Sequence, residues 1–134
     1  MPHTLDLSAL AGALHSLRRG LARWQPVPDD EELRDACIQR FEYCFELSWK
    51  MLKRQLELDL PDASQVDAMS YRELIRVGAE RGLLTDPADW MLYRDKRNTT
   101  SHTYNAAKAA DVALVIPAFA EHAQVLLARL QAQG

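Results

Sequence analysis

Apolar residues recur every three or four positions along most of this chain, the spacing that gives a helix one apolar face. The first segment shows the pattern clearly, with Leu7, Leu10, Leu14, Leu17, Leu21 and Trp24 in one stripe. The same periodicity predicts five helices in all: residues 5–25, 29–58, 70–81, a fourth from residue 86, and 107–132. No segment shows the period of two that is typical of a half-buried β-strand.

Residues that favour helix ends support these boundaries. Ser70 and Glu73 have the spacing of a capping box, and Gly82 fits the position just beyond a helix. The Asp-Pro pair at 86–87 is typical of an N-cap followed by the first helical residue. Pro117 should kink or restart the last helix, because proline has no backbone N–H to donate.

Length and composition indicate one globular domain over residues 1–134. Apolar residues make up 48% of the chain and charged residues 26%, which is ordinary for a globular protein of this size. Five helical segments with short connections predict an all-α fold, an antiparallel up-and-down bundle of four to five helices.

Location follows from several weaker signals. No uninterrupted apolar run approaches the roughly 20 residues that span a bilayer, and no signal peptide precedes the first helix. Cys37 and Cys44 lie about 10 Å apart along one predicted helix, too far for a disulfide. We therefore expect reduced thiols in a cytoplasmic protein that does not contact a membrane.

Charge and ligand spacing limit the kinds of binding site. The net charge of −3 argues against an extended nucleic-acid surface, so any contact with RNA would be local. No Cys/His pairs have metal-ligand spacing, and no metal or cofactor is expected. Three arginines give the third predicted helix a positive rim: Arg72, Arg76 and Arg81. His122 lies on a polar arc of the last predicted helix, and we assign it no functional role.

Residues 94–105 concentrate the reactive side chains of the chain. Arg97 offers a planar, permanently charged fork for phosphate oxygens, and His102 can transfer protons near neutral pH. On a regular helix the two side chains would point roughly 140° apart. The hydroxyl-bearing residues 99–101 weaken the helix between them. A local turn, or a second copy of the chain, could therefore bring Arg97 and His102 together.

Two further cations, Arg94 and Lys96, are candidates for phosphate contact in the same segment. Arginine and histidine near a helix end also cap carbonyl groups and complement the helix dipole. From residue types alone, that purely structural interpretation remains the alternative.

The segment 97–104, with the sequence RNTTSHTY, resembles the Arg-x4-His-x-Tyr signature of HEPN domains. It is similar to the toxin-like branch encoded beside minimal nucleotidyltransferases, which is also labelled nucleotidyltransferase substrate-binding. Residues 40–50, 70–76 and 82–84 resemble the second helix, the short middle helix and the helix exit of that group. The resemblance covers roughly residues 30–130.

The resemblance implies a metal-independent ribonuclease toxin. In such a toxin Arg97 would hold the scissile phosphate, His102 would transfer protons and Asn98 would orient one of these groups. Tyr104 would be adenylylated by the partner nucleotidyltransferase, which would neutralise the toxin. The alternative from another functional class is a non-catalytic subunit that presents a substrate to that enzyme.

The apolar surface of a bundle of this size leaves area for self-association, and the resemblance implies a second protein partner. We expect a homodimer with the two motif segments near each other, a minimal nucleotidyltransferase as second partner, and RNA as the substrate of the ribonuclease. Phe41, Phe45 and Trp49 lie at helical spacing and could line an interface or a pocket. We expect them in the core or at the dimer seam.

Overall fold

The computed structural model describes residues 5–99 and 105–133, and its regular structure within these ranges is entirely helical. The all-α bundle expected from the periodicity is therefore confirmed. The helices are α1 (Ser8–Trp24), α2 (Glu31–Asp59), α3 (Ala63–Asp67), α4 (Tyr71–Glu80), α5 (Pro87–Asn98), α6 (Ala106–Ala113) and α7 (Ile116–Gln131).

Side-chain caps fix the helix starts that the sequence predicts. The Ser70 hydroxyl accepts a hydrogen bond from the backbone N–H of Glu73 at 3.2 Å and donates one to the Glu73 carboxylate. Asp86 accepts from the backbone N–H of Ala88 at 2.9 Å at the start of α5. Gly82 has a φ of 78°, a left-handed conformation that favours glycine after α4.

The structure adds detail at two places. The one-turn helix α3 occupies part of the loop predicted between α2 and α4, and Asp62 caps it by accepting from the backbone N–H of Ser64 at 2.9 Å. The last predicted helix is divided into α6 and α7, with Pro117 in the first turn of α7. Pro117 thus restarts the helix, because its missing N–H is tolerated in a first turn.

The core lies between α1, α2, α5 and α7, and its aromatic side chains gather where α5 and α7 pack against the middle of α2. The Phe119 ring of α7 lies at its centre, with its centroid 5.0–6.2 Å from four aromatic rings: Phe41, Phe45, Trp90 and Tyr93. Gly78 lets α4 approach α2, since a Cβ atom there would lie 3.0 Å from the methyl groups of Leu52. This packing brings the N-terminus of α4 beside the C-terminal half of α5.

The segment Ala106–Gln131 is long and apolar enough, by length and composition alone, to cross a membrane. Charged residues such as Lys108, Asp111 and Glu121 interrupt it, so it is not a continuous apolar run. In the bundle, its largest apolar side chains lie in the core, including Phe119 and Leu126. Within its most apolar 18-residue window, 44% of the residues are buried in the bundle.

Candidate functional site

Arg97 lies in the last turn of α5, where its guanidinium group meets two carboxylates of α2. Its Nε donates a hydrogen bond to Glu46 Oε1 at 2.9 Å, and its Nη2 lies 3.5 Å from Glu42 Oε1. Residues four apart on a helix share a face, so Glu42 and Glu46 present their carboxylates side by side. The arginine therefore has a defined position before any ligand binds.

Glu46 also fixes a second side chain of α2. Its Oε2 accepts a hydrogen bond from the indole Nε1 of Trp49 at 3.2 Å. Glu46 and Arg97 are each about 30% exposed, and ion pairs this accessible contribute only about 1 kcal/mol or less to stability. The carboxylate thus matters more for orienting Arg97 and Trp49 than for holding the bundle together.

A pocket of about 300 Å³ opens beside this pair. Aromatic, aliphatic and charged side chains line it together, and they come from α2, α4, α5 and the segment before α4: Phe45, Glu46, Trp49, Lys53, Met69, Tyr71, Leu74, Arg94, Arg97 and Asn98. Asn98, the last residue of α5, is exposed at its rim. The pocket therefore brings together Arg94, Arg97 and Asn98 of the predicted site.

Tyr71 forms one wall of the pocket and is held from two sides. Its hydroxyl donates to the backbone carbonyl of Trp90 at 2.8 Å, and burial raises the pKa of this phenol well above its usual value. The guanidinium carbon of Arg94 lies 5.0 Å from the centre of the Tyr71 ring, within the range of a cation–π interaction. Arg94 is thereby held against the pocket wall.

Lys96 projects away from the pocket. Its ammonium group lies 2.6 Å from Asp111 Oδ2 on α6, and the Thr99 hydroxyl donates to the Lys96 carbonyl at 2.8 Å. This pair connects the end of α5 to α6. The structure therefore separates Lys96 from the two arginines with which the sequence analysis grouped it.

His102 and Tyr104, the predicted proton-transfer and modification residues, lie outside the described residues. The described chain resumes at Asn105, whose side chain caps α6 by accepting from the backbone N–H of Ala107 at 2.9 Å. The predicted pairing of Arg97 with His102 stays a prediction.

Sequence reasoning missed Glu42, Glu46 and Tyr71 as site residues. Two acids four positions apart inside the wide apolar arc of α2 were the available signal for the carboxylate pair. Phe41 and Phe45 lie in the core, as expected, but Trp49 is half-buried and lines the pocket. Trp49 thus packs against the edge of the core and also lines the pocket, and its place at a dimer seam stays a prediction.

The positive rim of α4 lies apart from the pocket. Arg72, Arg76 and Arg81 are exposed, and none of them lines it. Arg76 pairs with Glu80 one turn later at 2.8 Å. Within residues 5–99 and 105–133, no three His, Cys, Asp or Glu side chains form a group suited to a metal ion.

A second polar cluster lies at the other end of α5. The Tyr93 hydroxyl forms a 2.5 Å hydrogen bond with His122 Nδ1 of α7, and Asp89 Oδ2 lies 3.9 Å from the same nitrogen. Burial raises the pKa of Tyr93 well above its usual value. His122, which received no role from the sequence, thus connects α7 to the first half of α5.

Comparisons with known proteins agree on one family. Residues 5–132 match the family model described as nucleotidyltransferase substrate binding protein like. A probable ribonuclease HepT of Haemophilus influenzae is 35% identical over 139 residues, covering 98% of this chain and 95% of its own.

Two solved structures are also similar. One, from Haemophilus influenzae, is described as the fold of a substrate binding domain of a nucleotidyltransferase. It is 34% identical, has a TM-score of 0.88, and the match covers 94% of this chain and 99% of that one. A protein from Thermus thermophilus is 32% identical with a TM-score of 0.74, over 90% and 98% of the two chains.

Proposed function

This chain belongs to the nucleotidyltransferase substrate binding protein-like family, and on that premise we propose that it is a HEPN-type ribonuclease toxin. Its substrate is RNA, and a partner nucleotidyltransferase in the cytoplasm neutralises it. The relative named as a probable ribonuclease supports this proposal. The observation that carries it is the guanidinium of Arg97, held by Glu46 at the rim of a pocket beside Asn98.

The side chains fit a cleavage in which the RNA supplies its own nucleophile. The ribose 2′-hydroxyl attacks the adjacent phosphorus, and the bond to the 5′-oxygen of the next nucleotide breaks. A 2′,3′-cyclic phosphate and a 5′-hydroxyl end result. Arg97 holds the phosphate and stabilises its developing charge. His102 transfers the protons, and Asn98 orients one of the reacting groups.

The proposal is tested by expressing the chain alone in a bacterial host. The wild type should arrest growth and degrade RNA, whereas His102→Ala should do neither. His15→Ala is the matched control, because His15 is an exposed histidine of α1 that is distant in sequence from His102. This variant should remain toxic. If the His102→Ala variant is as toxic as the wild type, the proton-transfer role is wrong.

Neutralisation is proposed to occur at Tyr104. Transfer of AMP from ATP to the tyrosine hydroxyl, with release of pyrophosphate, would add bulk and negative charge to the motif, and the modified site would repel RNA phosphates. After incubation with the partner enzyme and ATP, intact-mass spectrometry should detect one added AMP on the wild type and none on Tyr104→Phe. Equal labelling of both proteins would show that AMP is attached to a residue other than Tyr104.

A homodimer with the two motif segments facing each other completes the proposal. In such a dimer the motif segment of a second copy can supply the proton-transfer group that acts with Arg97. Light scattering at micromolar concentration should give twice the mass of the chain. A monomeric mass would contradict the dimer, and the site would then have to be formed by one chain alone.

The second candidate is a non-catalytic subunit that presents a substrate to the partner nucleotidyltransferase. The solved relative described as a substrate binding domain favours it, as does a pocket with both aromatic and polar walls. Growth that continues with wild type and His102→Ala alike, together with intact RNA, would favour this second function.

A further inference from the structure

We propose that the pocket beside Arg97 is a subsite for a single unstacked nucleobase. The site comprises the indole of Trp49, the ring of Tyr71 and the polar groups of Arg94 and Asn98. The inference rests on the proposed function only for the source of the base, which is the RNA substrate. A free nucleotide would offer the same chemistry.

The size and lining of the pocket fit a flat heteroaromatic group. Its volume of about 300 Å³ is at the lower end of ligand pockets, so it suits one part of a ligand rather than a large molecule. Met69, Leu74 and Phe45 supply apolar surface, and the Trp49 and Tyr71 rings lie edge to face at 6.3 Å. Aromatic side chains of this kind stack with any base.

The polar groups fit the edge of a base. The amide of Asn98 offers both a donor and an acceptor, the combination that a base edge presents. The Arg94 guanidinium lies over the Tyr71 ring, which places its donors at the pocket wall. A simple anion would not need the aromatic walls, and a purely apolar ligand would not need the arginine and the amide.

The carboxylate of Glu46 contacts both the proposed base subsite and the arginine that would hold the phosphate. Glu46 accepts from Arg97 through Oε1 and from the Trp49 indole through Oε2. The guanidinium that would hold a phosphate and the ring that would hold a base are therefore both oriented by one side chain. Such an arrangement fits a nucleotide unit, in which base and phosphate are joined through one sugar.

The test is a titration of the full chain with nucleoside monophosphates and with ribose 5-phosphate. Binding is followed through the NMR signals of the tryptophan indole N–H groups. The nucleotides should bind roughly fivefold to 100-fold more tightly than ribose 5-phosphate, the range expected from stacking one base. They should also shift the Trp49 signal. Equal affinities, or no saturable shift of that signal at millimolar concentration, would overturn the proposal.

Variants of Trp49 distinguish a loss of base stacking from a general loss of folded structure. Trp49→Leu should remove the difference between nucleotide and ribose 5-phosphate, whereas Trp49→Phe, which keeps a stacking face, should retain most of it. Trp24→Leu is the matched control, since Trp24 is half-buried at the end of α1, and it should behave like the wild type. An undiminished difference in Trp49→Leu would refute the site.

An RNA-cleavage experiment shows whether the bound base belongs to RNA or to a free nucleotide. If the base comes from RNA, wild type should cleave with a preference for certain bases, and Trp49→Leu should weaken that preference. If the preference is unchanged while nucleotide binding is lost, the subsite serves a free nucleotide. Absence of RNA cleavage by the wild type would refute the proposed ribonuclease, while the titration would still decide the base subsite.

Discussion

In the first half of α5, Trp90 and Tyr93 are 1% and 2% exposed and pack around Phe119, whereas no residue from Arg94 to Asn98 is buried. Hydrophobic packing holds the first half in the core. Ion pairs and a cation–π contact hold the second half, through Glu46, Asp111 and Tyr71. One helix thus changes from buried aromatic packing to partly exposed polar contacts within a turn.

The difference shows why the reactive side chains lie where they do. Partly exposed ion pairs stabilise a fold only slightly, so loosening the 3.5 Å contact of Arg97 with Glu42 to admit a phosphate would cost the fold little, while Glu46 keeps the guanidinium in place. A buried aromatic cluster cannot rearrange in that way, because protein interiors are close-packed. The rigid half positions the helix, and the polar half keeps its charged side chains accessible.

The largest expected effect comes from the rigid half. Trp90→Ala should lower the free energy of unfolding by about 3–5 kcal/mol, because it removes a large buried ring from the centre of the core. Urea denaturation measures the loss. Trp24→Ala is the control and should cost much less, since Trp24 is only half-buried. Similar losses in both variants would contradict the contrast between core and surface.

High pH should also act on one tyrosine at each half of α5: Tyr93 within the helix, and the partly buried Tyr71 of α4, which contacts Arg94. Burial raises the pKa of Tyr71 and of Tyr93 in the folded chain, so above pH 10 the unfolded chain releases protons that the folded chain retains. Stability should therefore be intact below pH 10 and fall above it. Each buried phenol contributes a slope of about 1.4 kcal/mol per pH unit.

Denaturation of Tyr71→Phe and Tyr93→Phe at several pH values above 10 should show a shallower fall in each variant. Tyr43→Phe serves as control, because the Tyr43 ring is 60% exposed and meets water in both states. A slope that is unchanged in the two buried variants would show that these phenols ionise in the folded chain.

Glu46→Gln probes the polar half without removing a side chain. The amide cannot hold the guanidinium of Arg97 by charge, so kcat for RNA cleavage should fall about tenfold. This fall corresponds to a loss of about 1.4 kcal/mol of transition-state stabilisation. KM should not rise, because the positive charge that attracts RNA is retained. Glu121→Gln, which breaks the exposed pair with Arg18, should leave both constants unchanged. A rise in KM with unchanged kcat would assign Glu46 to substrate binding instead.

The smallest effect is expected at Lys96. Lys96→Met breaks the pair with Asp111 and should lower the free energy of unfolding by less than about 1 kcal/mol. Because Lys96 faces α6 rather than the pocket, RNA affinity at moderate salt should change little. A marked loss of RNA affinity would instead support Lys96 as a phosphate contact.

The sequence predicts the features that depend on local chemistry. The starts of α4 and α5 follow from Ser70 and Asp86, which act on backbone groups within three residues. The left-handed Gly82 and the restart at Pro117 are local in the same sense. Helical periodicity also identifies the faces that contain Phe41 and Phe119.

Pairs distant in sequence could not be predicted. Arg97 and Glu46 are 51 positions apart, and periodicity indicates which face of a helix is buried but not which side chain it meets. The separation of Lys96 from Arg94 likewise depends on where α6 and α4 pack. The site could thus be predicted as a segment, while its carboxylate pair and its pocket required the fold.

The most direct measurement is the cleavage of RNA in vitro by the purified wild type and by Arg97→Ala, in buffer containing a metal chelator. If Arg97 holds the scissile phosphate, the wild type should cleave and the variant should be at least about 100-fold slower, with folding unchanged. Equal cleavage by both proteins, or cleavage that the chelator abolishes, would contradict the proposed metal-independent site.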